Sequence, residues 1–402
     1  MAEDLTPRNL RSRGGPGEGP KARAGRVSGQ PEGLTYAQAG VDVATAEGFV
    51  QRLKELVAAT RSPQVLADVG PFASLFRLEG HNRPVLVASV DGVGTKVKLA
   101  ALLGRYEGLG HDLVNHCVND IATCGAQPLF FLDYISGCDL TPEAKVALVK
   151  GMAEACLAVG LALVGGETAE MPGVYASGDF DLAGFIVGVV EEDAIIDGRA
   201  IQEGDLLLGL PSSGLHTNGY SLIRQLFGVG LGGDLPEERR RLDIYYPQLG
   251  ATLGEALLAP HRCYYRDLKP LLSGVGAGQE PPLLKGIAHI TGGGIPGNLP
   301  RILSPGLAAR LDPGSGKGPP TAWEPWPGRG GYVWNMSPIF HLIQEQGKLS
   351  ATEMFRTFNM GLGMILVCAR EDADKVRQLL PEALAIGHVV KQQGPERIIW
   401  ED

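Results

Sequence analysis

The stretch SVDGVGTK, residues 89–96, overlaps the end of the apolar run PVLVASV, residues 84–90. An apolar run of this length that ends in an acid and two glycines is typical of a buried strand opening into a loop that approaches a ligand. The stretch matches neither the P-loop nor the dinucleotide-binding fingerprint. Taken alone, the stretch fits a tight loop with a solvated acid and lysine better than it fits a phosphate site.

The chemistry of a phosphate site is present in this stretch. Asp91 at the end of the strand is suited to hold a hard cation such as Mg²⁺, which takes carboxylate and phosphate oxygens. Glycine backbone allows N–H groups to approach a phosphate, and a hydroxyl and an ammonium add further donors. The residues that would contact the phosphates are Gly92, Gly94, Thr95 and Lys96.

The composition limits the classes of function. The chain has 402 residues, of which 44% are hydrophobic and 20% charged, so it is long enough for two domains with cores of their own. Its formal net charge of −9 argues against a nucleic-acid partner or an anionic membrane surface. The six cysteines include no C-x-x-C pair, and no apolar run reaches membrane-helix length. We expect a cytoplasmic protein with reduced thiols and no membrane partner.

The chain divides into three segments, the last of which contains an insertion. Residues 1–33 are rich in Gly, Pro and Arg, which favours a disordered extension over a transit peptide. Residues 34–200 and 201–402 each mix strands and helices, with glycine motifs at strand ends, so the sequence predicts two α+β domains with a boundary near residue 200. Within the second domain, residues 313–331 form a Pro/Gly-rich surface insertion.

Hydrophobic periodicity predicts the regular elements. The predicted helices cover residues 48–60, 111–124, 141–159, 220–227 and 371–384. The predicted strands cover residues 84–90, 128–135, 161–164, 180–191, 205–211 and 363–369. The strand at residues 180–191 lacks a clean alternation, which predicts that both of its faces are covered.

The segment NHCVNDIATCGAQP, residues 115–128, places amides and acids on one side of a predicted helix. Asp120 is a candidate second cation ligand facing Asp91, while a plain polar helix face remains the alternative. A zinc site is disfavoured, because no tetrahedral spacing is matched by the nearby candidates His111, His116 and Cys117.

The segment LVGGETAEMPGVY, residues 163–175, is a strand that breaks into a rigid acidic loop. Binding sites are often formed by loops at strand ends, although this sequence is equally compatible with an ordinary surface loop. The candidate site residues of this segment are Gly165, Gly166, Glu167 and Glu170.

Two motifs in the second half of the chain are typical of anion-binding sites. SSGLHTNG, residues 212–219, clusters polar groups at a strand-to-helix junction, although a lone histidine is more often structural. ITGGGIPGN, residues 290–298, has three glycines ahead of a predicted helix. The candidate substrate-binding residues are Ser213, His216, Asn218, Gly292, Gly293 and Gly294.

Two further motifs give little support for a functional site. GSGKG, residues 314–318, resembles a P-loop fragment but lacks the first glycine and the final Ser or Thr. RTFNMGLGM, residues 356–364, is predicted to be a buried turn followed by a strand.

Seven segments, in order, resemble the phosphoribosylformylglycinamidine cyclo-ligase (AIR synthetase) family. They are YAQAGVD (36–42), SVDGVGTK (89–96), HDLVNHCVNDIATCGAQPLFFLDY (111–134), LVGGETAEMPGVY (163–175), SSGLHTNGYSLIR (212–224), HITGGGIPGNLPRIL (289–303) and MFRTFNMGLGMILV (354–367). The resemblance runs from about residue 34 to the C-terminus. One departure is Ala37, where members of the family often carry a lysine.

The resemblance implies a two-domain α/β fold and a homodimer in which the mixed N-terminal sheets pair across the interface, with ATP close to it. It implies the ATP- and Mg²⁺-dependent ring closure of formylglycinamidine ribonucleotide to 5-aminoimidazole ribonucleotide in purine biosynthesis, with release of ADP and phosphate. The relatives of this family include FGAM synthetase, thiamine-monophosphate kinase, selenophosphate synthetase and a hydrogenase-maturation protein. The alternatives are therefore a small-molecule kinase with the same ATP-binding architecture or a non-catalytic nucleotide-binding protein.

The resemblance also implies roles for particular residues. The expected cation ligands are Asp91, Asp120 and Glu170. The expected nucleotide contacts are Gly92, Gly94, Thr95, Lys96, Asn119, Asp120, Gly165, Gly166 and Glu167. The expected substrate contacts are Ser213, His216, Asn218 and the glycines at residues 292–294. His216, Asp91 and Lys96 are the expected catalytic residues, with His216 stabilising the transferring oxygen or moving a proton.

Overall fold

The computed structural model describes residues 43–67, 72–272, 282–311 and 336–400. The predictions for the N-terminal extension, for Ala37 and for the insertion at residues 313–331 lie outside these ranges. In the part of the chain that the structure describes, no helix is both long and apolar enough to cross a membrane. All six cysteines are free thiols.

The helices and strands alternate irregularly along the chain. The helices are α1 (Val43–Ala58), α2 (Lys96–Leu103), α3 (Glu107–Ala122), α4 (Pro142–Val159), α5 (Tyr220–Phe227), α6 (Leu235–Leu242), α7 (Leu253–Leu257), α8 (Tyr265–Leu272), α9 (Gly294–Asn298), α10 (Pro338–Gly347), α11 (Ala351–Thr357) and α12 (Ala373–Leu379). The strands are β1 (Pro84–Gly92), β2 (Gln127–Gly137), β3 (Ala162–Glu170), β4 (Phe180–Glu191), β5 (Leu206–Pro211), β6 (Tyr245–Tyr246), β7 (Ala251–Thr252), β8 (Leu284–His289), β9 (Leu307–Leu311), β10 (Leu362–Cys368), β11 (Leu384–Lys391) and β12 (Ile398–Trp400).

Two mixed sheets organise these elements. The N-terminal sheet has the strand order β1-β4-β2-β3, and only its β2–β3 pair is parallel. The C-terminal sheet has the order β12-β9-β11-β5-β10-β8, with β9 and β12 parallel. Strands β6 and β7 form a separate short hairpin. The structure therefore confirms the α/β class.

One apolar core is shared by the two halves of the chain. Leu113 on α3 and Phe131 on β2 belong to the same buried cluster as Leu208 on β5 and Met364 on β10. The apolar side of α3 is fully buried, and its residues include Val114, Cys117, Val118 and Ile121. Since the core does not stop near residue 200, the predicted domain boundary there stays a prediction.

Local sequence signals explain α4 well. The Thr141 hydroxyl accepts a hydrogen bond from the Ala144 amide at 3.2 Å, and Pro142 occupies the first helical turn. Gly160 ends the helix with φ +73°, a left-handed conformation that glycine adopts without steric cost. The helix that the sequence predicts at residues 141–159 is confirmed.

Two predictions about strands are wrong. Strand β3 continues through the predicted acidic loop as far as Glu170, because its backbone keeps pairing with β2 up to Gly137. Strand β4 is covered on one face only, since Phe185 is 43% exposed on the other.

The uncovered face of the N-terminal sheet is apolar. Val90 on β1 lies directly opposite Phe185 on β4, so the two side chains share this outer face. Leu86 is 62% exposed and Val90 is 57% exposed. The helices α3 and α4 cover the opposite face.

Helices α3 and α4 approach closely because glycines line their contact. A Cβ added at Gly110 would overlap with the Leu148 carbonyl and the Met152 amide, which are backbone atoms that cannot rotate away. At Gly108, on the same helix, the nearest atom to such a Cβ would be the Leu258 carbonyl at 3.7 Å, an ordinary contact.

We expect Gly110→Ala to lower the free energy of unfolding by about 1–3 kcal/mol, because overpacking forces the two helices apart. The matched variant Gly108→Ala should be neutral or gain up to about 1 kcal/mol from helix propensity. Denaturant unfolding of both variants measures the difference. Equal free energies of unfolding would show that the close helix contact is not sterically required.

Candidate functional site

A cleft of about 570 Å³ lies where the ends of β1 and β4 meet loops of the C-terminal half. From the N-terminal half its lining includes Asp91, Gly92, Gly94, His116 and Asp181. From the C-terminal half its lining includes Thr217, Asn218, Thr291 and Gly292. The structure thus brings together residues from four of the motifs that the sequence singles out.

Asp91 faces the cleft as an ionised carboxylate. Its Oδ2 lies 2.8 Å from His116 Nε2, and its Oδ1 accepts a hydrogen bond from the Gly92 amide at 2.7 Å. Burial alone would raise the pKa of Asp91, but the hydrogen bond and charge of His116 outweigh it and lower the pKa. The side chain remains 42% exposed, so it is accessible to a cation.

His116 connects Asp91 to the C-terminal half. Its second ring nitrogen, Nδ1, lies 2.9 Å from the Thr217 hydroxyl. Burial alone would lower the pKa of His116, but its contact with Asp91 raises the pKa above the ordinary value. The imidazole therefore fixes the orientation of one carboxylate oxygen, while the Gly92 amide holds the other.

Asp120 forms a second histidine-paired carboxylate. Its Oδ1 lies 2.8 Å from His289 Nδ1, and its Oδ2 accepts a hydrogen bond from the Ser89 hydroxyl at 3.0 Å. Burial alone would raise the pKa of Asp120, but the bond from His289 and the histidine charges lower it. Two carboxylates that stay ionised and partly exposed provide the oxygen ligands that Mg²⁺ prefers.

His216 is buried, with 1% of its surface exposed. Its Nε2 accepts a hydrogen bond from the Ser213 amide at 3.2 Å, and its ring stacks on His261 with centroids 3.9 Å apart. Burial holds the pKa of His216 well below its usual range, and the charge of His289 adds to the effect. The ring is neutral and is held inside the fold rather than presented to the cleft.

Lys96 also lies inside the fold. Its Nζ forms an ion pair with Asp112 Oδ2 at 2.7 Å and donates to the Ala259 carbonyl at 2.9 Å. A longer bond of 3.3 Å reaches the His216 carbonyl. Both charged side chains are fully buried. The ammonium is therefore occupied by protein groups, and the contact with a phosphate that the sequence suggests stays a prediction.

The Asn119 side chain also forms its hydrogen bonds with groups inside the protein. Its Nδ2 donates to the Arg262 carbonyl at 2.8 Å, and its Oδ1 accepts from the Tyr264 amide at 2.8 Å. The side chain is fully buried, and its amide connects α3 to the segment before α8. Its contact with a nucleotide stays a prediction.

The polar side of α3 forms a continuous stripe. Its members follow helical spacing and all point to the C-terminal half of the chain. We call this set the α3 stripe: Asp112, Asn115, His116, Asn119 and Asp120. The polar helix face that the sequence predicts therefore exists, and many of its side chains form hydrogen bonds within the protein.

The acids of β3 lie apart from this pair of carboxylates. Strands β4 and β2 separate β3 from β1, which at ordinary strand spacing places Glu167 about 14 Å from the end of β1. Glu170 is bound by the Lys145 ammonium at 3.0 Å and by the Asp139 amide at 2.6 Å. The structure therefore does not place Glu170 beside Asp91 and Asp120. Gly165 and Gly166 lie on β3 as well.

The remaining predicted residues have mixed surroundings. Ser213 donates its hydroxyl to the Pro260 carbonyl at 2.6 Å, and Thr95 Oγ1 lies 3.3 Å from Ser221 Oγ. Gly293 is left-handed at the start of α9. A Cβ at Gly294 would overlap with the Phe355 carbonyl, so close packing explains this glycine.

Several residues of the cleft and its support were missed by sequence reasoning. Thr217 and His289 lie inside or next to quoted motifs, and their proximity to those motifs was the available signal. His261 and Asp181 carry no local signal, because each reaches the site through the fold. The missed residues are Asp112, Asp181, Thr217, His261, His289 and Thr291.

Family models match most of the chain. Residues 73–190 match the N-terminal domain of AIR synthase related protein, and residues 202–399 match its C-terminal domain. A relative from Myxococcus xanthus (strain DK1622), named phosphoribosylformylglycinamidine cyclo-ligase, is 47% identical over 368 residues, which cover 90% of this chain and 97% of the relative. A relative of the same name from Geobacillus kaustophilus (strain HTA426) is 45% identical and covers 89% of this chain and 96% of its own length.

Solved structures share the fold at low sequence identity. HypE from E. coli superposes with a TM-score of 0.55 at 18% identity, covering 87% of this chain and 93% of its own. Thiamine-monophosphate kinase from Stenotrophomonas maltophilia K279a gives a TM-score of 0.54 at 16% identity, covering 87% and 95%. At these identities the likeness concerns the fold alone.

We expect Asn119→Ala to lower the free energy of unfolding by about 2–5 kcal/mol, because it leaves a buried N–H and a buried carbonyl without partners. Asn115→Ala is the matched variant, since Asn115 makes one such bond, to the His261 carbonyl at 2.7 Å. Asn115→Ala should lower the free energy of unfolding by about half as much. Thermal and denaturant unfolding report the difference, and equal losses would contradict the assignment of two bonds to Asn119.

Proposed function

Because this chain belongs to the phosphoribosylformylglycinamidine cyclo-ligase family, it closes the imidazole ring of formylglycinamidine ribonucleotide with ATP, and we propose how its cleft performs that reaction. The observation that carries the proposal is the pair of ionised carboxylates, Asp91 and Asp120, of which Asp91 lines the cleft together with Gly92 and Gly94. This arrangement fits the triphosphate end of a nucleotide bound through Mg²⁺.

The reaction has to remove an amide oxygen, which is a poor leaving group. Transfer of the γ-phosphoryl group of ATP to the formamide oxygen forms an iminophosphate, with ADP as the other product. The substrate's own nitrogen then attacks the formamide carbon, and the C–O bond breaks as inorganic phosphate leaves with that oxygen. The attack is intramolecular, so holding the substrate in a reactive conformer supplies much of the acceleration.

The protein's task in phosphoryl transfer is positioning and charge neutralisation. Asp91 and Asp120 would hold Mg²⁺, which neutralises the charge that develops on the phosphates. The backbone of Gly92 and Gly94, with the Thr95 hydroxyl, would contact the phosphate oxygens. The supporting observation is that Gly92 and Gly94 line the cleft with Asp91.

The substrate would occupy the side of the cleft formed by the C-terminal half. Asn218 and Gly292 line the cleft opposite Asp91, which supports a contact with the ribonucleotide. Glu167, with Gly165 and Gly166, would meet a part of the ligand remote from the cation, because β3 lies about 14 Å from β1. We assign His216 to holding Ser213 in place, since its ring is buried and bound to the Ser213 amide.

We propose a homodimer that buries the outer face of the N-terminal sheet. Leu86, Val90 and Phe185 expose a contiguous apolar surface on this face. Exposed apolar patches of this kind on a sheet are typical of protein–protein interfaces. We also expect the protein to work in the cytoplasm, where its six free thiols stay reduced.

We expect Asp91→Asn to abolish nearly all ADP formation that depends on formylglycinamidine ribonucleotide, with the fold retained. Loss of a carboxylate ligand weakens the cation site and should cost about 100-fold or more in turnover. Asp197→Asn is the matched control, because Asp197 pairs with Arg199 and does not line the cleft. Steady-state assays with product analysis measure the effect; phosphate retained on the organic product would instead indicate a kinase. Normal turnover in Asp91→Asn would remove the cation assignment.

We expect Phe185→Glu to shift the protein from dimer to monomer, because the substitution places a charge inside the proposed interface. Leu157→Glu is the control, since Leu157 is 50% exposed on α4, on the other side of the sheet. Sedimentation velocity of both variants and of the wild type measures the assembly. A dimer that survives Phe185→Glu would place the interface elsewhere.

A further inference from the structure

The ammonium of Lys96 has a defined set of partners that ties two chain segments together. The Ala259 and His216 carbonyls, both from the C-terminal half, accept its hydrogen bonds. Asp112, its ion-pair partner on α3, also accepts a hydrogen bond from the His261 amide at 2.7 Å. One buried ion pair therefore fixes the backbone of both loops that carry the stacked histidines.

The peptide that Lys96 holds is not in a relaxed conformation. His216 has φ +62°, a left-handed conformation that is uncommon for a residue with a side chain. Such a conformation persists only where surrounding contacts enforce it. The bond from Lys96 to the His216 carbonyl and the bond from the Asn359 amide to the Gly214 carbonyl, at 2.8 Å, are contacts of this kind.

A path of direct contacts leads from this peptide to the cation site. The His216 carbonyl belongs to the peptide group that joins His216 to Thr217. The Thr217 hydroxyl lies 2.9 Å from His116 Nδ1, and His116 Nε2 lies 2.8 Å from Asp91 Oδ2. A displacement of the peptide would therefore move the hydroxyl, the imidazole and the carboxylate in turn.

The energetics also favour a positional role. A fully buried ion pair contributes little net stability, because the cost of desolvating two charges offsets their attraction. The presence of such a pair is better explained by the fixed positions that it imposes on the groups around it.

We propose that Lys96, paired with Asp112, is a positioning residue for the cation-binding carboxylate Asp91 and acts through the 216–217 peptide, Thr217 and His116. Lys96 makes no contact with the phosphates of ATP. The inference rests on the proposed function, in which Asp91 binds Mg²⁺.

The central experiment removes both charges of the pair together, in Lys96→Met/Asp112→Asn, so that no unpaired charge is left buried. The Mg²⁺ concentration for half-maximal activity should rise and kcat should fall about 100-fold, as expected for a misplaced group. Nucleotide affinity measured in EDTA should match that of the wild type, because no phosphate contact has been lost. Lys150→Met, a surface replacement of the same type, is the control and should leave all three quantities unchanged.

Two results would overturn the proposal in this experiment. A clear loss of nucleotide affinity in EDTA would show that Lys96 contacts the phosphates. A double variant that does not fold would assign the pair to global stability instead of positioning. If the wild type itself formed no ADP with formylglycinamidine ribonucleotide, the proposed function would fail, whereas the nucleotide measurement in EDTA would still report on Lys96.

The intermediate step is tested by Thr217→Val, which removes the hydroxyl bonded to His116. This variant alone should lower kcat. Combined with Lys96→Met/Asp112→Asn it should cause no further fall, because both changes interrupt one path. Effects on kcat that multiply would show two independent roles and contradict the path.

A labelling experiment on the wild type needs no variant. Reductive methylation of the native protein, read by mass spectrometry, should leave Lys96 unmodified both with and without ATP. Lys98, two residues along α2 and 35% exposed, serves as the internal control and should react. Modification of Lys96 that ATP prevents would show a phosphate contact and overturn the proposal.

Discussion

The α3 stripe is the constraint on which the rest of this structure depends. A helix packed between two halves of a chain buries its polar side chains, and each of them needs a hydrogen-bond partner. Here the partners come from the segment 259–264 and from β8, which pins both to the N-terminal half. The cleft forms where this stripe reaches the end of β1. The geometry of the cleft therefore depends on the hydrogen bonds that the buried polar groups of α3 form within the protein, as much as on the requirements of ligand binding.

The same stripe explains how two acids stay ionised near one another. Each of Asp91 and Asp120 is paired with a histidine that the fold holds in place, and these contacts outweigh the burial that would otherwise raise the pKa of each acid. The result is a local concentration of negative charge with exposed oxygen atoms. A divalent cation suits it, whereas a phosphate without a cation would be repelled. In the proposed site the acid that precedes the glycines of SVDGVGTK would hold the triphosphate through the metal.

Sequence reasoning succeeds where the signals are local. The periodicity of β1 and the Thr141-Pro142 start of α4 lie within a few residues of the elements they define, so these elements could be predicted. Asp91 could be placed in a site because its strand ends at a glycine loop. Lys96 could not be placed, because a lysine after two glycines looks the same whether it faces a phosphate or a buried aspartate. Its partners Asp112 and Ala259 are brought to it only by the tertiary fold. Strand β3 was predicted too short for a similar reason, since its last residues are held by pairing with β2.

Native-state hydrogen exchange of the segment 259–264 tests the central claim most directly. The amides of His261 and Tyr264 lie outside any helix or strand hydrogen bond of their own, yet they donate to Asp112 and Asn119. If the α3 stripe organises the cleft, these two amides exchange as slowly as those of the buried strand β10. Exchange as fast as that of the exposed residues Gln393, Gly394 and Glu396 would show that the segment opens independently, and would contradict the account.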